Sequence, residues 1–371
     1  MEQTGVNALH CDAFPYLDRF PAPACVAWEE VGDQQAPVFL RPEWLAMAIE
    51  ARAVERGMIL VFRNGARPLG VMPLQYRTRW SAEICAPLAP DMMPLIVAPG
   101  AEEPVWRAFA EWFRQSPFAL IRLGRFLPEQ CESYRRLIEA QGVTTIVRPA
   151  NPLFRIDLPD SWEAYLGAMK HRDRYNIRHA ERKILADFPD AEISVSDDPA
   201  VCAGDLDTLI RLSCLRWQGE KHRSHLENPR LAAMLRRFTL RAVEQGGGCV
   251  AALRVGGRTI AVATAIHIPG QSLAFYHTVG RDPAALPRQY SPGMLLSGRI
   301  VRWAIERGAA RISLSQGNWL YKQVLGGVEH PQCDLCVASS PLAAKVMKKV
   351  DPAVRLVRLR AQRMLGWGKA G

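Results

Sequence analysis

Apolar and polar positions fall into period-two runs and runs at helical spacing, and the order repeats once along the chain. Residues 1–45 hold several prolines and only short apolar runs, so they read as irregular. A helical pattern begins at Arg41 and reaches Glu55. Strands over 58–63 and 68–76 flank Asn64-Gly65, a dipeptide suited to a tight hairpin turn. A strand over 82–88, a helix over 104–115, a strand over 119–123, a helix over 129–140 and a strand over 143–148 follow. The second half has a similar order: a strand over 153–158, a long helix over 161–186 with Ser161 as its cap, and a strand over 191–195. Helices over 205–217 and 229–245 come next, then strands over 249–255 and 258–268 joined through Gly256-Gly257. A strand over 273–279 precedes a helix that Ser291-Pro292-Gly293 opens and Gly308 closes. A short strand over 311–315 and a closing strand near 333–338 end the series. Two α/β domains of similar architecture are expected, 1–152 and 153–340, with a tail over 341–371.

The chain has 371 residues, 49% of them apolar, enough for two cores. No apolar run approaches the ~20 residues of a membrane span, and Met1-Glu2-Gln3-Thr4 does not open a secretory signal. The nine cysteines are scattered and odd in number, which predicts free thiols and a cytoplasmic protein. Cys333-Asp334-Leu335-Cys336 has no second ligand pair at a matching spacing, so two thiols in a strand are expected and no metal.

Charge changes the picture more. The net +10 is uneven: residues 1–150 hold 15 Lys/Arg against 17 Asp/Glu, the remainder 32 against 20. An anionic partner should therefore meet the second half, whether coenzyme A, a membrane surface or a nucleic acid. Between 170 and 183 stand six Lys/Arg and two acids, with Arg174, Arg178 and Arg182 four apart. That face can meet an anionic substrate or simply be solvated. The tail interleaves valines with Lys348, Lys349, Arg355, Arg358, Arg360 and Arg363, and Asp351-Pro352 breaks it. It can dock on its own domain, or lie on an acidic partner or the inner membrane face. No helix-turn-helix or zinc module stands out, which argues against DNA.

The helix at Ser291, Pro292, Gly293, Met294 and Leu295 carries no acid, and Arg288 is close by; a glycine at such a helix start can hold a phosphate. The matching helix of the first half opens on Glu102-Glu103, which repel one. If one half binds a nucleotide cofactor, it is the second.

The run from Arg281-Asp282-Pro283 through Ser291-Pro292-Gly293 to Tyr321-Lys322 resembles the FemAB-like, CelD-type branch of the GNAT acyltransferases. The resemblance is sharp from about 250 to 326 and implies tandem GNAT-type folds, each a mixed, largely antiparallel sheet flanked by helices. The chain departs from it at Ser313 and Gln316, where the family carries an acid and an Arg, and at Asn318-Trp319, which replaces an acidic pair. The implied activity is acyl transfer, most simply acetyl, from acetyl-CoA or another acyl-CoA to an amine or hydroxyl of a sugar, a polysaccharide precursor or a similar metabolite. An aminoacyl-tRNA-dependent transferase and a degenerate scaffold of an envelope polysaccharide system are the alternatives. Tyr321 is the candidate acid, Lys322 a candidate anion ligand, and His277 the candidate base with His267 competing. Arg174, Arg178 and Arg216 are candidate substrate ligands, and the polar loop with Glu220, His222 and His225 can cover a substrate.

Overall fold

The computed structural model describes residues 9–32, 41–85, 96–216, 224–267, 273–286, 290–316 and 320–345, with backbone alone over 273–278. The chain divides into two units. The first runs to Asn151 and takes the chain back from Pro331; the second is Pro152–His330.

The first unit opens with β1 (His10–Tyr16), α1 (Ala22–Val31) and α2 (Pro42–Glu50). Then come β2 (Gly57–Asn64), β3 (Arg67–Thr78), β4 (Ser81–Ile84) and β5 (Ile96–Val97). It continues with α3 (Glu102–Gln115), β6 (Leu120–Phe126), α4 (Pro128–Glu139) and β7 (Thr144–Pro149). The second unit runs β8 (Leu153–Asp157), α5 (Trp162–Ala168), α6 (His171–Asp187), β9 (Glu192–Ser196), α7 (Pro199–Arg216) and α8 (Pro229–Glu244). It continues β10 (Gly248–Val255), β11 (Arg258–Ile266), β12 (Leu273–Arg281), α9 (Pro292–Glu306), β13 (Arg311–Gln316), α10 (Leu320–Val324) and β14 (Val328–His330). Last comes β15 (Cys333–Ala338).

The first sheet has the order β1-β2-β3-β4-β6-β15-β7, with β5 on β3; the second reads β9-β10-β11-β12-β13-β8-β14. Each has one parallel pair, β4 with β6 and β12 with β13, and the other neighbours are antiparallel. The fold is thus a duplicated α/β architecture of mixed, largely antiparallel sheets flanked by helices.

Residues 333–338 need correcting. The sequence reading closes the second domain with them, but β15 pairs with β6 and β7 in the first sheet. Its Leu335 and Val337 are buried in the first core among Trp106, Phe109 and Ile121. Alternation identifies a strand without saying which sheet receives it. In the second sheet β8 holds the corresponding place, between β13 and β14.

Smaller differences have local causes. Residues 10–16 form an edge strand whose Pro15 and scattered polar positions hide the period. Residues 22–31 form a helix, with proline in its first turn rather than breaking it. The helix expected over 161–186 is two, parted at Met169 and Lys170, whose ψ angles of 151° and 142° are extended. Gly167 is the weak helix former at that point. The Gly256-Gly257 turn forms as expected, with φ of 60° and 71°.

In the second unit α9 lies against β10, β11 and β12, with α5 and α6 packed on it. A Cβ at Gly298 would lie 3.4 Å from Ile177 and 3.9 Å from Trp162, ordinary contact distances, so α5 and α6 pack on α9 at this point. The core there joins Leu295, Leu296, Ile300 and Val301 of α9 to Ala251, Ala263 and Ala265 of the sheet and to Ile177 and Ile184 of α6.

Candidate active site

β12 and β13 run parallel but pair only from Leu273, Ala274 and Phe275 to Arg311, Ile312 and Ser313. Past that point they part. β12 continues to Arg281 on β11 alone, while β13 stays on β8, its partner from Arg311 to Gln316. Beyond Phe275, amides of β12 that point away from β11 have no strand partner among the described residues. A crevice at the carboxyl ends of parallel strands is where α/β sheets commonly take ligands.

Two irregularities mark this wedge. On β12, Thr264 pairs with Thr278 and Ala265 with Tyr276, so His277 is the extra residue of a bulge. Simple alternation therefore does not carry across His277. On β13, Ser315 has φ of 64°. The Ser313 hydroxyl accepts its amide at 3.2 Å. Ser291, just before α9, has φ of 45°. Among the described residues only Arg52 is a further non-glycine residue with positive φ. Two of the three thus stand at one end of one sheet, and such backbone costs of order 1–3 kcal/mol unless its surroundings hold it.

The surroundings do hold it. Tyr290 donates its hydroxyl to Asp187 at 2.8 Å, meets Phe188 edge-on at 5.4 Å, and lies beneath the Lys183 ammonium at 5.1 Å. The chain entering α9 is thereby fixed to the end of α6. Hydrogen bonds from Tyr290, first, and Lys183 hold the Asp187 carboxyl below its ordinary pKa. On the sheet's other side a Cβ at Gly280 would lie 2.7 Å from the Leu209 carbonyl oxygen, so α7 presses directly on β12 there. Arg216, a half-buried candidate ligand, ends α7 one turn beyond Ser213, which borders the same glycine.

Ser291 occupies the cap position of α9, but its side chain makes no capping bond. Its carbonyl accepts from the amides of Met294 at 2.9 Å and Leu295 at 3.1 Å. Pro292 has no amide, so in this turn the Gly293 N–H is the one without a partner among the described residues. A Cβ at Gly293 would meet only Val279, at 3.9 Å, which places this turn beside β12. Arg288 lies outside the described residues, as do Glu220, His222, Asn318, Trp319 and the tail beyond residue 345.

Lys322 is a buried cation, only 2% exposed. Its ammonium donates to the carbonyls of Ser315 at 2.8 Å and Gln316 at 2.7 Å and faces the Phe154 ring at 5.6 Å. Where the family resemblance places an acid stands Ser313, 1% exposed, so carbonyl dipoles help satisfy the charge. Gly327 donates back to the Lys322 carbonyl at 2.8 Å, and the buried Tyr165 hydroxyl donates to Leu325 at 2.8 Å, fixing the end of α10. Tyr321, beside Lys322 on α10, is partly buried against the core.

The other candidates separate. His267 is buried against Trp303 at the far end of β11, away from the start of α9. His225 is exposed on a single 3₁₀ turn. Arg174 turns toward α5 and donates to Leu166 at 3.5 Å, while Arg178 is exposed. The bulge at His277, the conformation of Ser315 and the Tyr290 anchor escaped the sequence reading; a polar Ser-Gln pair ending an apolar strand was their only sign. All nine cysteines are free thiols. No helix among the described residues is long and apolar enough to cross a membrane, and no group of three His, Cys, Asp or Glu there is placed to hold a metal.

Residues 171–323 match the family described as acetyltransferase (GNAT) domain. No curated protein matches the chain by sequence. Among solved structures, FemX is 9% identical with a TM-score of 0.59, covering 84% of this chain and 94% of its own. The C-terminal domain (DUF2156) of a protein assigned as a lysylphosphatidylglycerol synthetase from Agrobacterium fabrum is 14% identical with a TM-score of 0.57, covering 89% and 96%. L-PGS from Bacillus licheniformis is 11% identical with a TM-score of 0.55, covering 89% and 96%. At such identities the likeness is one of fold, and it extends over both units. The stretch that matches this acetyltransferase (GNAT) domain family holds the wedge, α9 and α10 up to Gln323.

Proposed function

We propose that the second unit transfers an acyl group, most simply acetyl, from an acyl-CoA to an amine or hydroxyl acceptor in the wedge between β12 and β13. The observation that carries this reading is the parting of the two strands beside the start of α9. In it the coenzyme's phosphates meet the turn Ser291, Pro292, Gly293, Met294 and Leu295, with Arg288 as counter-charge. One open amide makes a thin cradle, so the side chains around it carry more of the binding. Amides of β12 beyond its pairing with β13 polarise the thioester carbonyl as charge develops on its oxygen. The acceptor attacks that carbon, the C–S bond breaks, and the Tyr321 phenol protonates the departing thiolate. His277 takes the proton that the acceptor loses. Arg216, half-buried at the end of α7, supplies positive charge for an acidic acceptor, such as a sugar phosphate or polysaccharide precursor. Lys322 acts by position, fixing the strand end against which Tyr321 is set.

Net positive charge in the second half also suits an aminoacyl-tRNA donor, the second reading. Calorimetric titration of the whole chain with acetyl-CoA and with CoA decides first. Micromolar binding at one site supports acyl-CoA transfer. No binding at millimolar ligand overturns it and leaves the tRNA donor or a scaffold. Replacing Tyr321 by Phe should then slow turnover roughly a hundredfold with coenzyme affinity unchanged, measured by thiol release. Full turnover would remove Tyr321 from the mechanism.

A further inference from the structure

The inner face of α6, with Ile177, Ala180 and Ile184, is buried toward α9. Its outer face carries Arg172, Tyr175, Arg178, His179, Arg182 and Leu185, all exposed. Stepping 100° per residue, the helix places its three acids off the centre of that face. Asp173 and Glu181 are partly buried, and Glu181 pairs with Arg299 of α9. Asp187 is taken by Lys183 and Tyr290. Among the described residues Arg172, Arg178 and Arg182 have no carboxylate partner. Tyr175 is 49% exposed and Leu185 43% exposed, and the Tyr175 ring stacks on His179 at 5.1 Å and 12°.

We infer that this face of α6 is a docking surface for an anionic lipid bilayer. Charge complementarity calls for an anionic partner, and two further features choose the bilayer. Exposed aromatic and aliphatic bodies set among arginines are what a helix lying at a headgroup boundary presents. The face is also convex and belongs to one helix of 17 residues, about 25 Å long, so it offers no groove along which a nucleic-acid strand could run. Docking there would hold the acyltransferase unit against the membrane through the helix packed behind α9.

The test is co-sedimentation of the full chain with vesicles of phosphatidylcholine alone and of phosphatidylcholine with about one-third phosphatidylglycerol, at low and physiological salt. The wild-type chain should pellet with the anionic vesicles only. The double variant R172E/R182E should lower the partition coefficient on the order of a hundredfold, since each basic residue near such a surface contributes severalfold. The charge-preserving variant Y175S/L185S should lower it severalfold, which a purely ionic contact would not. Circular dichroism and the thermal midpoint establish that each variant folds. Wild-type partition by R172E/R182E overturns the proposal, as does loss of binding only when Lys348 and Lys349 of the tail are reversed. Binding to bulk tRNA without any vesicle binding overturns it as well.

Discussion

Both sheets share one strand order, yet the parallel pair at the centre of each is finished differently. In the first unit β4 pairs with β6 through Ser81, Ala82 and Glu83, and the strand ends one residue later at Ile84. A charged lock lies across that pair. Arg122 donates to both oxygens of Asp334 at 2.8 and 2.6 Å and stands 3.8 Å from Glu83. In the second unit β12 runs six residues beyond its pairing with β13, carries a bulge, and leaves backbone donors along its edge. The cation at that end, Lys322, donates to the carbonyls of Ser315 and Gln316. Their helices differ in the same sense: α3 begins with Glu102 and Glu103, α9 with no acid. The difference teaches how one architecture yields a closed scaffold and an open edge. The strand order is common to both; the length of one strand and the charges at its end are not.

The comparison breaks most severely if Lys322 is replaced by Met. Two partly buried carbonyls then lose their donor, and stability should fall by about 3 kcal/mol in a denaturant titration, with the wedge collapsing rather than merely losing a charge. A stable, inactive protein would instead make Lys322 a group that acts on the substrate. Next in size, Gly293→Phe should weaken acetyl-CoA binding on the order of a hundredfold by calorimetry, whereas Glu102→Phe at the start of α3 should leave it unchanged. Equal effects at both helices would show that the coenzyme does not distinguish the units. Arg122→Met opens the lock in the first unit and should lower stability by about 1–2 kcal/mol, discounted for partial exposure, without altering coenzyme affinity.

The smallest effect concerns pH. Asp187 has a lowered pKa in the folded state, so its contribution is present above the ordinary carboxylate range and is lost as pH falls through the lowered value. Below about pH 4 the wild-type thermal midpoint should drop more steeply than that of Asp187→Asn. Parallel curves would mean that the Tyr290 anchor does not depend on the charge.

The sequence showed the repeated order of elements, because runs such as 249–255 and 258–268 carry their period and their glycine turn within a few residues. It showed the helix at Pro292 for the same reason. It could not show that Leu335 and Val337 belong to the first core, since nothing local separates an apolar strand bound for one sheet from one bound for the other. Nor could it show the wedge. That depends on how far two strands distant in sequence stay paired, and on a single extra residue at 277. Lys322 was visible as part of Tyr-Lys, but its burial follows from the turn at Ser315 and the return of Gly327.

The exchange of β8 and β15 also orders events during synthesis. Arg122 and Asp334 are 212 positions apart, and the whole second unit is translated between them. Until residue 338 has emerged, β6 and β7 of the nascent first sheet both have open edges, ready to pair with a neighbouring chain. The first unit therefore cannot finish folding before the second has been made, although it is made first. A chain cut between the units would leave β15 without its two neighbours, so such fragments should aggregate where the intact chain does not.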